Sequence, residues 1–295
     1  MAASRFLWLG GLVALVIAAP AIAWQAAHGF PEWQVAQSQR HGTGPVKYLV
    51  QQLLVLNPAL LPAIIRGTTA MWRDRRYRPL VWTFAALEVF FLVTGGKSYY
   101  PAPILVLLAA AGVAATPALR DDRVLAPPRL AARYAVIAVL GLLLVPAVLP
   151  VLPEATFASS PYAAEDDTRA TIGWPQLAAQ VDSVTTRIGG AHPVVLTESY
   201  GEAGPIERFG RRNLTVVSGH NSLWYYRRPP DGTVTVITVG YAPEQLAAWF
   251  THCRSVATLH TPHGVDNQED GAPMTLCAGP RQPWAQLWPR LHHDN

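Results

Sequence analysis

The stretch Gly95-Gly96-Lys97-Ser98-Tyr99-Tyr100-Pro101 lies between two long apolar runs, residues 80–93 and 102–115. Runs of this composition are typical of membrane helices, so the stretch is expected to form the turn between two of them at a bilayer surface. Lysine is costly inside hydrocarbon, and Lys97 therefore either extends towards the lipid headgroups or binds an anionic ligand. The simpler of these two interpretations is a polar turn with interfacial tyrosines.

Further apolar runs accompany these two, and together they predict a multi-pass α-helical membrane region of about five spans in residues 1–152. The spans are expected near residues 6–24, 46–65, 79–94, 101–116 and 134–152. The first run could also be a signal peptide, because Ala21-Ile22-Ala23 resembles a cleavage site. Its length, and the further runs that follow, favour an uncleaved helix.

The distribution of charge predicts how these spans are oriented. Basic residues outnumber acidic ones 13 to 5 before residue 153, whereas the ratio after it is 10 to 14. Two loops, residues 66–79 and 120–133, hold five and four arginines. The positive-inside rule places both loops in the cytoplasm, so we expect a cell-membrane protein with a cytoplasmic amino terminus and residues 153–295 outside. The patterned basic surface typical of nucleic-acid-binding proteins is absent, so nucleic acid is not an expected partner.

The second half of the chain has the pattern of a separate domain. Residues 153–170 are rich in Ala, Ser, Asp and Pro and are expected to be a linker. Residues 171–295 alternate helix and strand patterns. Helices are expected at 174–188, 202–209 and 243–250, and strands at 193–197, 214–217, 233–240, 255–259 and 274–277, of which 233–240 is a long β-branched run, TVTVITVG. This alternation predicts a small extracytoplasmic α/β domain with a largely parallel sheet.

The chain has two cysteines, Cys253 and Cys277, both in this second half. An oxidising outer compartment favours a disulfide between them, and the alternative is a pair of buried free thiols. No cluster of Cys and His has metal-ligand spacing, so zinc is not expected, and dependence on another divalent metal is left open.

One ionisable residue lies inside a predicted span. Glu88 is about two turns before Gly96 in the third apolar run. Ionisable groups at such depth are functional candidates by default. A neutral, hydrogen-bonded interior carboxyl is the alternative interpretation.

Several short motifs occur in an order that resembles the carboxy-terminal part of bacterial membrane glycosyltransferases of family 39. These enzymes are related to protein O-mannosyltransferases and aminoarabinose transferases and use polyprenyl-phosphate sugars. The resemblance covers nearly the whole chain. The motifs are PAIAWQ at 20–25 with HG at 28–29, LNP at 56–58, GGKSYY at 95–100, ESYGEAG at 198–204, SGHNS at 218–222, VDN at 265–267 and PWAQLWP at 283–289.

The resemblance implies a transferase that moves a sugar from a polyprenyl-phosphate donor to a glycan, lipid or protein acceptor on the outer face of the membrane. It implies that Lys97, with Tyr99 or Tyr100, binds the donor phosphate and stabilises the leaving lipid phosphate. It implies no cofactor with certainty.

A second group of candidates lies in the outer domain, at expected strand ends and loops, where α/β folds hold their ligands. Its members, which we consider for binding the acceptor, are Glu198, Tyr200, Glu202, His220 and Asn221. Ordinary turn chemistry would explain the same residues. Trp284 and Trp288 are four residues apart, and this spacing favours packing over a sugar platform.

The sequence departs from the family at the catalytic base. The family has its catalytic carboxylate in the first external loop of a longer amino-terminal membrane region, for which this sequence has no counterpart. The loop at 25–45 has only Glu32, which we do not assign as the base, so the catalytic residue is unknown. The expectation is therefore a fragment, or a chain that works with a partner. The alternative function is a non-catalytic, membrane-anchored binding or interaction module.

Overall fold

The computed structural model describes residues 5–38, 44–116, 128–189, 193–211 and 214–294. Its amino-terminal half is helical, and its carboxy-terminal half is built on one five-stranded sheet. The helices of the first half are α1 Arg5–Ala27, α2 Pro31–Ser38, α3 Pro45–Val55, α4 Leu61–Arg73, α5 Arg78–Thr94, α6 Ala102–Ala114 and α7 Pro128–Val148.

The prediction of about five membrane spans is wrong. Among the described residues, two helical segments are long and apolar enough to cross a membrane, Trp8–Ala27 in α1 and Ala131–Val148 in α7. A third is reached only if α3 and α4, which meet at an angle of 84°, count as one span. The helices expected to be the third and fourth spans, α5 and α6, have 17 and 13 residues. At 1.5 Å per residue, α6 reaches about 20 Å, short of a hydrocarbon core of about 30 Å.

The expected second span, residues 46–65, is interrupted where α3 ends. Asn57 has a positive φ of 68°, and its side-chain oxygen accepts a hydrogen bond from the backbone of Ala59. Pro58 follows, and a proline lacks the N–H that would continue the helical ladder. The 3₁₀ turn Pro58–Leu60 then leads into α4 in a new direction.

Helices α4 and α6 form the closest packing in this half. They approach at Gly67 and Gly112, where added methyl groups would overlap backbone carbonyl oxygens of the facing helix, those of Leu108 and Ala63. Small residues allow such contact between helix backbones. The two helices therefore pack as a closely fitted pair.

The expected linker, residues 153–170, is folded. It contains α8 Glu154–Ala158, the 3₁₀ turn Pro161–Ala164 and α9 Asp166–Arg169. Phe157 is buried against Ile172 and Val265 of the outer domain. Tyr162 and Thr168 donate hydrogen bonds of 2.7 Å to backbone carbonyls near the end of α7. The segment thus joins the two halves through packed contacts.

The α/β domain of residues 171–295, called the outer domain after its expected location, has strands in the order β2-β1-β3-β5-β4. The first three are parallel, whereas β5 is antiparallel to both of its neighbours, so the sheet is mixed rather than largely parallel. The strands are β1 Val194–Thr197, β2 Thr215–Ser218, β3 Thr235–Val239, β4 Phe250–Thr258 and β5 Pro273–Pro280. The helices are α10 Trp174–Ile188, α11 Tyr200–Phe209, α12 Leu223–Tyr226, α13 Pro243–Trp249 and α14 Trp284–Leu287, with 3₁₀ turns Pro262–Gly264 and Trp288–Leu291.

Two hydrophobic layers cover the two faces of this sheet. Alternate residues of β1 point to opposite sides, so Val194 and Leu196 join one layer and Val195 the other. Trp284 and Trp288 are both buried in the first layer, in agreement with the packing interpretation. Cys253 and Cys277 lie directly opposite each other on β4 and β5 and form a disulfide.

Candidate functional site

The Lys97 turn begins where α5 ends. Gly95 adopts a left-handed conformation, with φ of 73°, and the N–H of Gly96 donates to the carbonyl of Phe91 at 2.9 Å. This arrangement is a common way to end a helix. The left-handed conformation at position 95 favours glycine, because glycine has no Cβ atom to clash with the backbone. The chain then turns sharply, and the N–H of Tyr100 donates to the carbonyl of Lys97 at 3.2 Å. The lysine and the tyrosines therefore lie together on one short, ordered turn.

The three predicted donor-binding side chains are accessible. Tyr99 and Tyr100 have nearly perpendicular rings 5.3 Å apart, and each is a little under half exposed. The Nζ atom of Lys97 lies 3.7 Å from Oδ1 of Asp167, with side chains 47% and 62% exposed. An ion pair in that setting contributes at most about 1 kcal/mol to stability. Lys97 is therefore held near the turn but is not committed to this partner.

The predicted acceptor-binding residues lie at the carboxyl ends of the parallel strands, as expected for an α/β sheet. Glu198 and Tyr200 follow β1, and His220 follows β2. Helix α11 starts with a capping box, in which Ser199 and Glu202 each accept a hydrogen bond from a backbone N–H of the first turn. This cap fixes the direction in which Tyr200 leaves the sheet.

Three rings stack at this sheet edge. Tyr200 lies 4.8 Å from His220, and His220 lies 5.2 Å from His293, with nearly parallel planes. The backbone N–H of Tyr200 donates to Nδ1 of His220 at 3.2 Å, so the proton of the neutral ring is on Nε2. Burial and the neighbouring His293 both lower the pKa of His220 and favour this neutral form.

The side chain of Asn221 completes the hydrogen bonding of His220. Its amide lies 3.0 Å from Nε2 of the imidazole, while its Oδ1 is buried without a partner. Because Nε2 bears the proton, the contact is a good hydrogen bond when the amide is rotated so that Oδ1 faces the ring. The ring then has both nitrogens satisfied, which makes it a fixed surface rather than a mobile base.

Three carboxyl groups surround the amino-terminal end of α11. Burial raises the pKa of Glu202 to about 7, against hydrogen bonds from Ser199 that favour the ionised form. Burial also raises the pKa of Glu198 and of Glu269. Gly240, with φ of 91°, leaves room for Glu198 and Glu202, because a methyl group there would lie within 3 Å of both. Burial at this edge therefore shifts all three carboxyl groups towards the protonated form.

The Lys97 turn lies near the sheet edge. Burial and the nearby charge of Asp167 raise the pKa of Tyr99, and Tyr200 is close enough to add to the same effect. On another side of the junction, Trp24 and His28 at the end of α1 stack at 4.3 Å, and Tyr225 meets both rings at 5.2 Å. The structure thus brings the two predicted residue groups to one junction, although they are about 100 residues apart in sequence.

Several residues at this junction were not identified from the sequence. Asp167 pairs with Lys97, His293 closes the ring stack, and Glu269 lies beside the amino-terminal end of α11. Asp167 lies in the expected linker, and His293 is next to the carboxyl terminus, where composition gives no signal. The acidic run at 165–167 was the one usable hint, because consecutive carboxylates repel one another and a nearby cation lowers that repulsion.

Glu88 is hydrogen bonded inside the helical half. Gln52 donates to its Oε1 at 2.8 Å, and the hydroxyl of Tyr48 donates to its Oε2 at 3.3 Å. Both donors are on α3 and both are buried. These bonds join α3 to α5 and account for the carboxyl without a ligand.

Neither a metal-ligand group nor a surface cavity is part of the candidate site in the described residues. Among the described residues, no group of three His, Cys, Asp or Glu side chains is arranged to hold a metal ion. One surface cavity, of about 280 Å³, is lined by residues such as Leu246, Phe250 and Arg281 beside the disulfide. Its lining has no acid or histidine, so we place the candidate site at the junction, where the ionisable groups converge.

Comparison of the chain with family models, curated proteins and solved structures gives no match. The resemblance to family 39 glycosyltransferases therefore rests on the motifs alone and enters below as a proposal.

Proposed function

We propose that the chain acts in sugar transfer at the outer face of the cell membrane, as the carboxy-terminal part of a glycosyltransferase of the family 39 type. In this proposal the helical half anchors the chain in the membrane, and residues 153–295 lie outside. The donor is a polyprenyl-phosphate sugar whose phosphate binds Lys97 and the tyrosines of its turn. The acceptor binds at the sheet edge around Tyr200.

One observation supports this proposal more than any other, namely that the Lys97 turn lies near the sheet edge, with Tyr99 in electrostatic range of Tyr200. A transferase must bring a lipid-linked donor and an acceptor together. The turn offers a cation and phenol donors, which suit a phosphate. The edge offers aromatic faces and carboxyl groups, which suit a sugar. Glu198, Glu202 and Glu269 are not assigned as the base, and the catalytic residue stays unknown.

A non-catalytic binding module is the second candidate, and the internal bonding of the sheet edge favours it. Glu202 is used in the helix cap, and His220 has hydrogen-bond partners for both ring nitrogens. A chain with this function would still bind a lipid phosphate at Lys97. It would not transfer the sugar.

The test is binding and turnover by the full chain in phosphatidylcholine nanodiscs. Lys97→Met keeps the apolar stem and removes the charge. Losing the exposed ion pair with Asp167 should lower the free energy of unfolding by at most about 1 kcal/mol. Losing one charge-assisted contact costs about 1.5–3 kcal/mol, so the affinity for polyprenyl phosphate should fall about ten- to a hundredfold.

The matched control is Arg228→Met, which removes a partly exposed cation paired with Asp231 before β3 begins. It should bind polyprenyl phosphate as the wild type does. Equal binding by Lys97→Met and the wild type would refute the phosphate site. The transfer assay uses a polyprenyl-phosphate sugar as donor, with the membrane fraction of the source cells added. If polyprenyl phosphate binds but no sugar is transferred, the binding module is favoured.

A further inference from the structure

The sequence contains only two lysines, Lys47 and Lys97, among 23 basic residues. They are 50 positions apart and lie on different elements, the first turn of α3 and the turn after α5. The other 21 basic residues are arginines. The use of lysine at these two positions directs attention to their surroundings.

Hydrogen bonds between α3 and α5 bring Lys47 to the same end of the helical half as Lys97. Tyr48, the next residue in the chain, and Gln52 both bond to Glu88 on α5. Helix α5 then runs about two turns from Glu88 to the Lys97 turn. Lys47 itself is exposed.

The acidic segment Glu165-Asp166-Asp167 contacts Lys97 and is in electrostatic range of Lys47. Asp167 is 3.7 Å from Lys97. Burial, followed by Asp167 and Asp166, raises the pKa of Glu165, and Lys47 and Lys97 both oppose that rise. Asp166 instead pairs with Arg169 at 2.6 Å. Glu165 is thus the acidic residue that is influenced by both lysines, whereas Asp166 pairs with Arg169.

We propose that Lys47 and Lys97 together bind the phosphate of a phosphate monoester lipid, and that Asp167 occupies this site until the phosphate displaces it. This inference rests on the proposed function and adds a second lysine and an internal competitor to it. A phosphate monoester has up to two negative charges, whereas Asp167 has one. The carboxylate is more than half exposed and its pair with Lys97 is weak, so a stronger anion can replace it.

The two lysines allow a direct footprint of the site. Acetylation of the full chain in phosphatidylcholine nanodiscs with an amine-reactive reagent modifies lysine side chains and the amino terminus. Mass spectrometry then measures modification of Lys47 and Lys97 separately, with the amino terminus as the internal reference. We expect polyprenyl phosphate to slow the modification of both lysines about tenfold and the uncharged polyprenol to slow neither. Inorganic phosphate alone should protect weakly, and protection equal to that by the lipid would identify a free-phosphate site instead.

Four variants test the roles of the lysines and the competitor. Lys47→Met and Lys97→Met should each reduce the affinity for polyprenyl phosphate about ten- to a hundredfold. Asp167→Asn should increase that affinity about two- to fivefold, because the competing charge is removed. Asp166→Asn is the control and should bind as the wild type does, since its carboxylate pairs with Arg169.

The outcomes separate this inference from the proposed function. If polyprenyl phosphate binds and protects Lys97 but not Lys47, the two-lysine site is refuted and the proposed function stands. An unchanged or reduced affinity in Asp167→Asn refutes the internal competitor. If the wild type binds no polyprenyl phosphate at all, both the inference and the phosphate site of the proposed function fail.

Discussion

Replacing Glu202 by Gln removes a buried charge with little change of shape. The side chain is 5% exposed, and its Oε2 accepts a hydrogen bond of 2.6 Å from the backbone N–H of Ser199. A glutamine oxygen accepts the same bond, and glutamine is a regular member of a capping box. The variant therefore isolates the effect of the charge on stability.

The expected size of the effect follows from the pKa of Glu202. Burial raises this pKa from 4.5 to about 7, which corresponds to about 3 kcal/mol against the ionised form in the folded protein. The folded state binds this proton more tightly than the unfolded state does. The free energy of unfolding of the wild type therefore falls as the pH rises from about 4.5 to about 7, and it stays lower above that range.

Glutamine does not titrate, so the free energy of unfolding of the variant does not fall through this titration as the pH rises. Relative to the wild type, the free energy of unfolding of Glu202→Gln should increase by about 3 kcal/mol between pH 4.5 and pH 8. The melting temperature of the full chain in detergent micelles measures the change, and about 5–10 °C is expected. The control is Glu207→Gln on the same helix, whose exposed carboxylate pairs with Arg227 and should give less than about 0.5 kcal/mol. A constant difference between Glu202→Gln and the wild type at pH 4.5 and pH 8 would refute the reasoning.

Two further predictions concern packing and the disulfide. Gly67→Ala should destabilise the helical half by roughly 3 kcal/mol or more, because the added methyl group overlaps the carbonyl oxygen of Leu108. The control Gly11→Ala should be neutral, since no atom lies within 4 Å of its added methyl group. Equal melting temperatures for the two variants would contradict this prediction. The double substitution Cys253→Ser and Cys277→Ser opens a loop with a sequence separation of 24 and should lower the stability of the outer domain by about 3 kcal/mol. Thiol labelling of the denatured, unreduced wild type should modify neither cysteine, and labelling of both would show that they are free.

Local sequence patterns predicted the outer domain well. The helix expected at 174–188 has those bounds in the structure, and all five strands occur near their expected positions. Strand β4 is longer than expected, because its exposed residues from Thr251 to Ser255 have no alternating apolar pattern. The antiparallel half of the sheet was missed, since alternation of helix and strand does not report the direction of the last two strands.

Hydropathy alone could not predict the number of spans. It measures how apolar a segment is, but it does not report a bend at Asn57 and Pro58 or the early end of α6. The apolar surface of α6 is partly buried against α4, at Leu108 and Gly112, rather than facing lipid along its length. An apolar run of 13 residues that packs against another helix has the composition of a span without its length.

The candidate site depends on contacts that no local pattern contains. Lys97 and Asp167 are 70 positions apart, and Tyr99 and Tyr200 are separated by 101. The sequence indicated the two groups separately. Lys97 indicated the turn, and the position of the polar residues after β1 indicated the sheet edge. Their meeting depends on how the segment between α7 and α10 folds, and that segment had the composition of a linker.

The folded segment explains why the two groups meet, and it has a consequence for function. Tyr162 and Thr168 bond to carbonyls near the end of α7, and Phe157 packs into the outer domain, so the domain is attached at both ends of this segment. A flexible linker of similar length would let the sheet edge sample many positions and would lower its effective concentration at the Lys97 turn. The packed segment instead holds the sheet edge in one position relative to the Lys97 turn. Because Asp167 is in the same segment, a phosphate at Lys97 would have to displace a residue of the segment that positions the domain.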